Sequence, residues 1–234
     1  MRVSEVYASS QGEGPNVGKT TVFVRFGGCN LRCPGWPCDT QHAIDPKFRK
    51  EWTPTTPEEL AHNTKRTAEM AGANLITLTG GEPFLQNNKD LYEFVERLVM
   101  DGFQIEAFSN GTFEYPNWAA HNISFIMDWK LPGSGEDPMN ENRLKNLKLL
   151  SKFYYQHHAV KFVIKDEQDL AAAHGLWWDH IKDRVSGVEV FYGKVWDGLL
   201  EDKDLVAYVM TNGLPWRLNR QEHNYIWPAN ERGR

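Results

Sequence analysis

Cys29, Cys33 and Cys38 are the only cysteines in the 234-residue chain. All three fall in one Gly/Pro-rich loop, Cys29-Asn-Leu-Arg-Cys33-Pro-Gly-Trp-Pro-Cys38-Asp39-Thr40, directly after an apolar run. Three thiolates can hold three irons of a cubane cluster and leave the fourth iron without a protein ligand. A closed iron–sulfur site takes four cysteines, and a closed structural zinc site takes four Cys or His ligands. An open corner suits a cluster that binds a small molecule and passes an electron to it. Three cysteines acting as small buried hydrophobes fit poorly in so polar and Pro-rich a loop. A zinc ion recruiting one of the eight histidines stays open on these residues alone.

Thr79-Gly80-Gly81-Glu82-Pro83 also follows an apolar run. Its two glycines let backbone come close to a ligand, and its carboxylate can pair with an ammonium group. Alone, the segment reads as an ordinary strand-to-helix turn; beside the cysteines it strengthens the cofactor reading. Gly14-Pro-Asn-Val-Gly18-Lys19-Thr20 imitates a phosphate-binding loop, but Gly-x4-Gly-Lys-Thr requires glycine five positions before Gly18, where Glu13 stands. That segment also leads into a strand, where a phosphate loop opens a helix.

The elements that must carry these loops alternate. β-Branched and aromatic enrichment predicts strands at 20–27, 74–79, 103–108, 123–128, 159–164 and 187–191. Thr56-Pro57-Glu58-Glu59 predicts a helix start with a capping box and Pro at the first helical position. Leu91, Phe94, Val95, Leu98 and Val99 form a helical stripe that stops at Gly102. A third helix follows Asn142 with Leu144, Leu147 and Leu150, and a fourth covers 167–180. Strand–helix alternation implies parallel strands with right-handed crossovers. A closed eight-fold barrel takes about 250 residues, so the expectation is an α/β fold, a partial (β/α)6 TIM-like barrel, in one domain spanning 1–234 with short extensions at each end. The cysteines, Thr79–Pro83, Ser109-Asn110-Gly111 and Lys130 all follow predicted strands, which would gather them on one rim.

Composition narrows the function classes. A hydrophobic fraction of 41% is enough for a core, and the net charge of −5 with no dense Lys/Arg block argues against a nucleic-acid or anionic-membrane surface. The start Met1-Arg-Val-Ser-Glu-Val-Tyr carries no apolar signal, and no run reaches the length of a membrane span. The expectation is a cytoplasmic protein, where an odd cysteine count speaks against a disulfide framework. Trp177, Trp178, Trp196 and Trp216 are expected in the core or at a subunit interface.

The three-cysteine loop after the first barrel strand, with Gly-Gly-Glu-Pro after the second, resembles the radical S-adenosylmethionine superfamily. More of the chain is similar to one member, the 7-carboxy-7-deazaguanine synthase family of the queuosine pathway. The similarity rests on Gln11-Gly12-Glu13-Gly14, Phe23-Val24-Arg25, Gly28-Cys29-Asn30-Leu31, Cys38-Asp39-Thr40, Ser109-Asn110-Gly111-Thr112, Asp128-Trp129-Lys130-Leu131-Pro132 and Arg217-Leu218-Asn219-Arg220-Gln221-Glu222-His223. These pieces cover nearly the whole chain. The departure is in the cysteine loop: four residues separate Cys33 from Cys38 where the family usually has two, and Pro37 rather than an aromatic residue precedes Cys38, with Trp36 one position earlier.

The resemblance implies a [4Fe-4S] cluster on Cys29, Cys33 and Cys38, whose open iron binds S-adenosylmethionine and cleaves it to a 5′-deoxyadenosyl radical. It implies 6-carboxy-5,6,7,8-tetrahydropterin as the substrate, contracted to 7-carboxy-7-deazaguanine with loss of ammonia. Gln11, Gly12, Glu13, Arg25, Thr79 and His223 would form the substrate pocket, with Glu13 accepting a bidentate pair of bonds from the pterin's guanidine-like edge. Thr40 would bind Mg²⁺ together with the substrate carboxylate. Gly80, Gly81, Glu82, Ser109, Asn110 and Lys130 would hold S-adenosylmethionine. A flavodoxin- or ferredoxin-type electron donor and a homodimer are further implications. The alternatives are another small radical enzyme, such as a glycyl-radical activase, and a non-catalytic zinc-binding module.

Overall fold

Continuous apolar runs rich in Val, Ile and Phe become strands buried on both faces. In the computed structural model the six expected runs form β2 (Thr20–Phe26), β4 (Leu75–Gly80), β5 (Gln104–Ser109), β6 (Ser124–Trp129), β7 (His158–Ile164) and β8 (Val188–Lys194). They lie side by side in that order and pair in parallel. The structure describes residues 1–234 apart from Pro37, Tyr154, Arg184, Ser186, Asp197, Gly198, 229–231 and Arg234. Three further strands extend the sheet. The unexpected β1 (Arg2–Ser10) runs antiparallel to β2, the short β3 (Thr53–Pro54) pairs with β1, and the short β9 (Arg217–Leu218) pairs with β8.

The crossovers are helical: α1 (Gln41–Ile44), α2 (Pro57–Ala71), α3 (Asn88–Met100), α4 (Asn117–Asn122), α5 (Glu141–Leu150), α6 (Glu167–Leu176), α7 (Asp202–Thr211) and α8 (His223–Ile226). The α2 start has the expected capping box: Thr56 Oγ1 accepts from the Glu59 N–H at 3.2 Å, and Glu59 Oε2 accepts from the Thr56 N–H at 3.1 Å. The helix expected at 167–180 is α6 continued by a π-helical turn, Trp177–Ile181. The third helix starts one residue before Asn142, capped by Asn140, and its buried face is Arg143, Asn146, Leu147 and Leu150 instead of the leucine stripe alone. No described helix is long and apolar enough to cross a membrane.

Alternation along the strands divides two environments. Val22, Val24, Phe26, Ile76 and Leu78 face the helices and pack with Leu60, Phe94 and Leu98 in the main core. Each such side chain contributes about 1.5–3 kcal/mol when removed from water. Opposite them, on the inner face, lies a small apolar floor of Phe108, Ile126, Ala159 and Phe191. Polar and charged residues surround this floor. They define the site.

Candidate active site

The cysteine loop is clamped to the loop after β4. Gly81 N–H donates to Phe26 O at 2.9 Å, and Glu82 N–H donates to Gly28 O at 2.8 Å. Gly80 has φ 118°, and a Cβ there would collide with the Phe26 backbone, while a Cβ on Gly81 would collide with the Gly28 carbonyl oxygen. Their small size is thus required by two backbones crossing, not only by the approach of a ligand.

Cys29 Sγ accepts from the Leu31 N–H at 3.4 Å and faces Asn110 Nδ2 at 3.8 Å. Cys38 Sγ lies 3.3 Å from Thr40 Oγ1, which also donates to Gly80 O at 3.5 Å. Cys33 has φ 44°, the one positive value at a non-glycine among the described residues. The cost of that backbone, about 1–3 kcal/mol, is offset by Glu136, whose Oε1 accepts from the N–H groups of Arg32 and Cys33, both at 2.7 Å. Lys130 interacts electrostatically with all three thiols. Its Nζ donates to Asp128 Oδ2 at 2.8 Å and lies 5.9 Å from the Trp36 ring centre. Pro37 falls outside the described residues.

This donor set fits a cubane. Burial pushes the three thiols up, Cys33 to about 11, so metal loading has to release their protons. Lys130 works in the opposite direction and favours thiolate. N–H groups aimed at sulfur and a buried cation beside it both suit an anionic cluster. Among the described residues no three His, Cys, Asp or Glu side chains converge on a single-ion site; a cubane instead takes each thiolate at a separate corner.

Glu82 is fully buried. Its Oε1 accepts from Ser109 Oγ at 2.9 Å and the Phe84 N–H at 3.0 Å, and its Oε2 accepts from the Asn110 N–H at 2.8 Å. The carboxylate expected to meet an ammonium group therefore ties the β4 loop to the β5 loop. Beneath that loop lie two residues the sequence reading missed. Arg143 Nε donates to Asn110 O at 2.9 Å, and Asn146 Nδ2 donates to Gly111 O and Phe113 O at 3.1 and 2.8 Å. Both occupy core-facing positions of α5, and polarity hid them from an apolar-stripe search.

Burial pushes the Glu82 carboxyl up to about 7, against the bonds from Asn110, Phe84 and Ser109. A folded value above the unfolded one means that the folded chain holds an extra proton between the two. The contribution to stability is complete below the unfolded value of 4.5 and is lost as pH rises through about 7. Its size is on the order of 3 kcal/mol. Denaturant titrations of the cluster-free chain at about pH 5 and about pH 8 should show a loss of stability with rising pH that Glu82→Gln lacks. Equal pH dependence in the two proteins would remove this account of Glu82.

The remaining candidates gather at the mouth of the inner face. Arg25 and Thr79 are register partners on β2 and β4. Arg25 Nη2 donates to Tyr7 OH at 2.7 Å and its Nε pairs with Glu5 Oε2 at 3.3 Å, which leaves Nη1 uncommitted among the described residues. Gln11 is buried: its Nε2 bonds Thr77 Oγ1 at 3.1 Å and also Glu106 Oε1. Glu106 takes further bonds from Thr77 Oγ1 and Asn16 Nδ2 at 2.7 Å each, and burial raises its pKa despite them. Gln11 thus anchors its loop, and its Oε1 also accepts from the Glu13 N–H at 3.2 Å.

Gly12 packs under His223; a Cβ on the glycine would come within 2.8 Å of His223 Nδ1. Glu222 N–H donates to Gly12 O at 3.1 Å. Glu13 Oε1 accepts from Lys161 Nζ at 2.6 Å and from Asn219 Nδ2 at 3.2 Å. Oε2 alone is uncommitted among the described residues, so the expected bidentate presentation of Glu13 is reduced to one free oxygen. The sequence reading gave no role to Lys161 or Asn219. A single lysine inside an otherwise apolar strand, Ala-Val-Lys-Phe-Val-Ile, was the available signal, because a buried ammonium requires a partner.

Residues 10–146 match the family described as a 4Fe-4S single cluster domain. The chain is 32% identical to a 7-carboxy-7-deazaguanine synthase of Koribacter versatilis over the full length of both chains. In three dimensions it resembles the crystal structure of QueE from Escherichia coli, with a TM-score of 0.70 and 20% identity, covering 93% of this chain and 92% of that one. It also resembles Streptococcus suis SuiB bound to S-adenosylmethionine, with a TM-score of 0.54 and 11% identity over 84% of this chain and 48% of that one.

Proposed function

This chain belongs to the 7-carboxy-7-deazaguanine synthase family of radical S-adenosylmethionine lyases, and from that premise we propose that it converts 6-carboxy-5,6,7,8-tetrahydropterin to 7-carboxy-7-deazaguanine with loss of ammonia. A [4Fe-4S] cluster on Cys29, Cys33 and Cys38, with S-adenosylmethionine, supplies the hydrogen-abstracting chemistry when bound, and the protein supplies position and electrostatics. Glu13 Oε2 accepts from the pterin's guanidine-like edge. Arg25 meets the substrate carboxylate or ring oxygen, and Thr79 and His223 line the same pocket. Thr40 holds Mg²⁺ with the substrate carboxylate, a combination suited to a hard cation that keeps most of its waters. Gly80, Gly81, Ser109, Asn110 and Lys130 shape the S-adenosylmethionine seat, and Glu82 fixes the two loops that form it.

The observation that carries this reading is the union of the family-matching Gln11–Gly14 and Arg217–His223 segments at one mouth, through Gly12 against His223 and Glu13 with Asn219. A glycyl-radical activase, which acts on a protein, has no need of such a seat. Exposed Trp178 and Trp196 support a homodimer, and a flavodoxin- or ferredoxin-type donor completes the proposal.

Anaerobic reconstitution followed by iron counting and incubation with the tetrahydropterin, S-adenosylmethionine and Mg²⁺ tests it. The expected result is about four irons per chain, release of ammonia with 7-carboxy-7-deazaguanine, and loss of rate on removal of Mg²⁺. Cleavage of S-adenosylmethionine without the deazaguanine would overturn the substrate. Glu13→Gln should keep its iron and raise KM for the pterin by about tenfold or more; steady-state kinetics checks this.

A further inference from the structure

Lys161 stands at the centre of β7 with its side chain on the inner face, 7% exposed, and ion-pairs with Glu13 at 2.6 Å. Its strand neighbour on that face is Asp128, and the Phe108 ring centre lies 6.0 Å from its Nζ. Burial works to discharge such a lysine, but Glu13 and Asp128 overcome that and its pKa is raised. Asn219 closes the arrangement from the far end of the chain. Its Oδ1 accepts from the Gly14 N–H at 2.7 Å and its Nδ2 donates to Glu13 Oε1 at 3.2 Å. Asn219 is itself fixed, since its N–H donates to Tyr192 O at 2.7 Å and the absence of a Cβ at Gly193 makes room for its carbonyl.

Both partners thus grip the same oxygen of Glu13. The segment they hold rests on the apolar floor, where Gly14 meets Ile126 and Phe108. A buried ion pair is weak evidence of stabilisation, because apolar replacements of similar volume often do as well. It does fix direction, and here it leaves Oε2 uncommitted among the described residues. We propose that Lys161 and Asn219 are positioning residues for substrate recognition, which hold Oε1 of Glu13 so that Oε2 is presented to the incoming pterin. The inference rests on the reading that Glu13 receives the substrate, and it extends specificity to two residues that touch the ligand only through Glu13.

The test is equilibrium binding of 6-carboxy-5,6,7,8-tetrahydropterin to anaerobic, cluster-loaded protein, measured by calorimetry without turnover. Wild type is compared with Glu13→Gln, Lys161→Met, the double variant and Asn219→Asp, which keeps the acceptor for Gly14 but loses the donor to Glu13. The expected result is about tenfold or greater weakening in each single variant, with the double variant no weaker than the worse single one. Iron content and affinity for S-adenosylmethionine should stay at wild-type levels, as a general loss of structure would not allow. Should Lys161→Met fail to fold, Asn219→Asp carries the test alone. Normal affinity in a folded Lys161→Met or Asn219→Asp, with Glu13→Gln weakened, overturns the positioning role and leaves the proposed function standing. Normal affinity in Glu13→Gln overturns both the substrate role of Glu13 and the inference built on it.

Discussion

Replacing Cys33 with alanine should give a colourless, folded chain with no stable cluster and no measurable turnover. The fold survives because the groups that hold the Cys33 backbone are not its thiol: the Arg32 and Cys33 N–H groups remain bonded to Glu136. Alanine also keeps the Cβ that already tolerates φ 44°, so no new strain enters. On the proposed ligation, what disappears is one of the three cysteines that hold the cluster. Two thiolates leave two corners open, and the cluster loses both its anchoring and the single vacancy that selects S-adenosylmethionine. Since catalysis of this class depends on the cofactor, the loss should exceed about 10⁴-fold in rate. Iron and sulfide counting, absorbance in the visible and circular dichroism check the three parts separately. A variant that keeps a full cluster and makes product would show that Cys33 is not a ligand.

Gly81→Ala should be nearly as damaging, by a different route. The new methyl would occupy the space of the Gly28 carbonyl oxygen, which accepts the Glu82 N–H. Neither neighbour is a flexible side-chain end, so relief requires moving backbone. Overpacking costs about 1–3 kcal/mol where side chains can adjust, and more is expected here. The movement also separates Cys29 from Glu82, and through Glu82 from Ser109 and Asn110. The expected phenotype is a lowered midpoint in thermal melts together with poor iron uptake. Wild-type stability and iron content would show that the two loops are less tightly coupled than their bonds imply.

The barrel strands were legible because their apolar runs face helices on one side and a floor or polar lining on the other. β1 was not, because a bulge between Val3 and Glu5 breaks its alternation: Val3, Val6 and Ala8 pack on the main core, while Glu5 and Tyr7 meet Arg25 on the other face. The apolar positions 3, 6 and 8 are unevenly spaced, so no period-two signal stands out. Its place is set by pairing with β2, a tertiary fact. The helix starting at 56 was readable from its cap, while α5 was misjudged in its buried face because Arg143 and Asn146 are used to brace a loop.

At the site, the cysteines, Gly80-Gly81 and the Gln11–Gly14 segment carried local patterns that point to chemistry. Glu82 was read as a ligand group because its carboxylate is conspicuous, and the structure adds backbone and hydroxyl donors 2–28 positions away as its protein partners. Lys161 is paired across 148 positions. No local pattern encodes such a pair, and only the oddity of a charge in an apolar strand hints at it.

The bond from Gly14 to Asn219 spans 205 positions, nearly the whole polypeptide. Contacts of such long range carry the largest loop-closure cost and form once intervening structure has shortened the path. The cysteine loop closes on nearer partners, since Glu136 holds Arg32 and Cys33 across 104 and 103 positions. During synthesis the chain therefore acquires the partners of the cysteine loop before it acquires the residue that holds Gly14. Docking of the late Asn219 onto the early Gly14 is thus a built-in order of assembly, and a chain clipped ahead of Asn219 would leave the Gly14 N–H and Glu13 Oε1 without that partner.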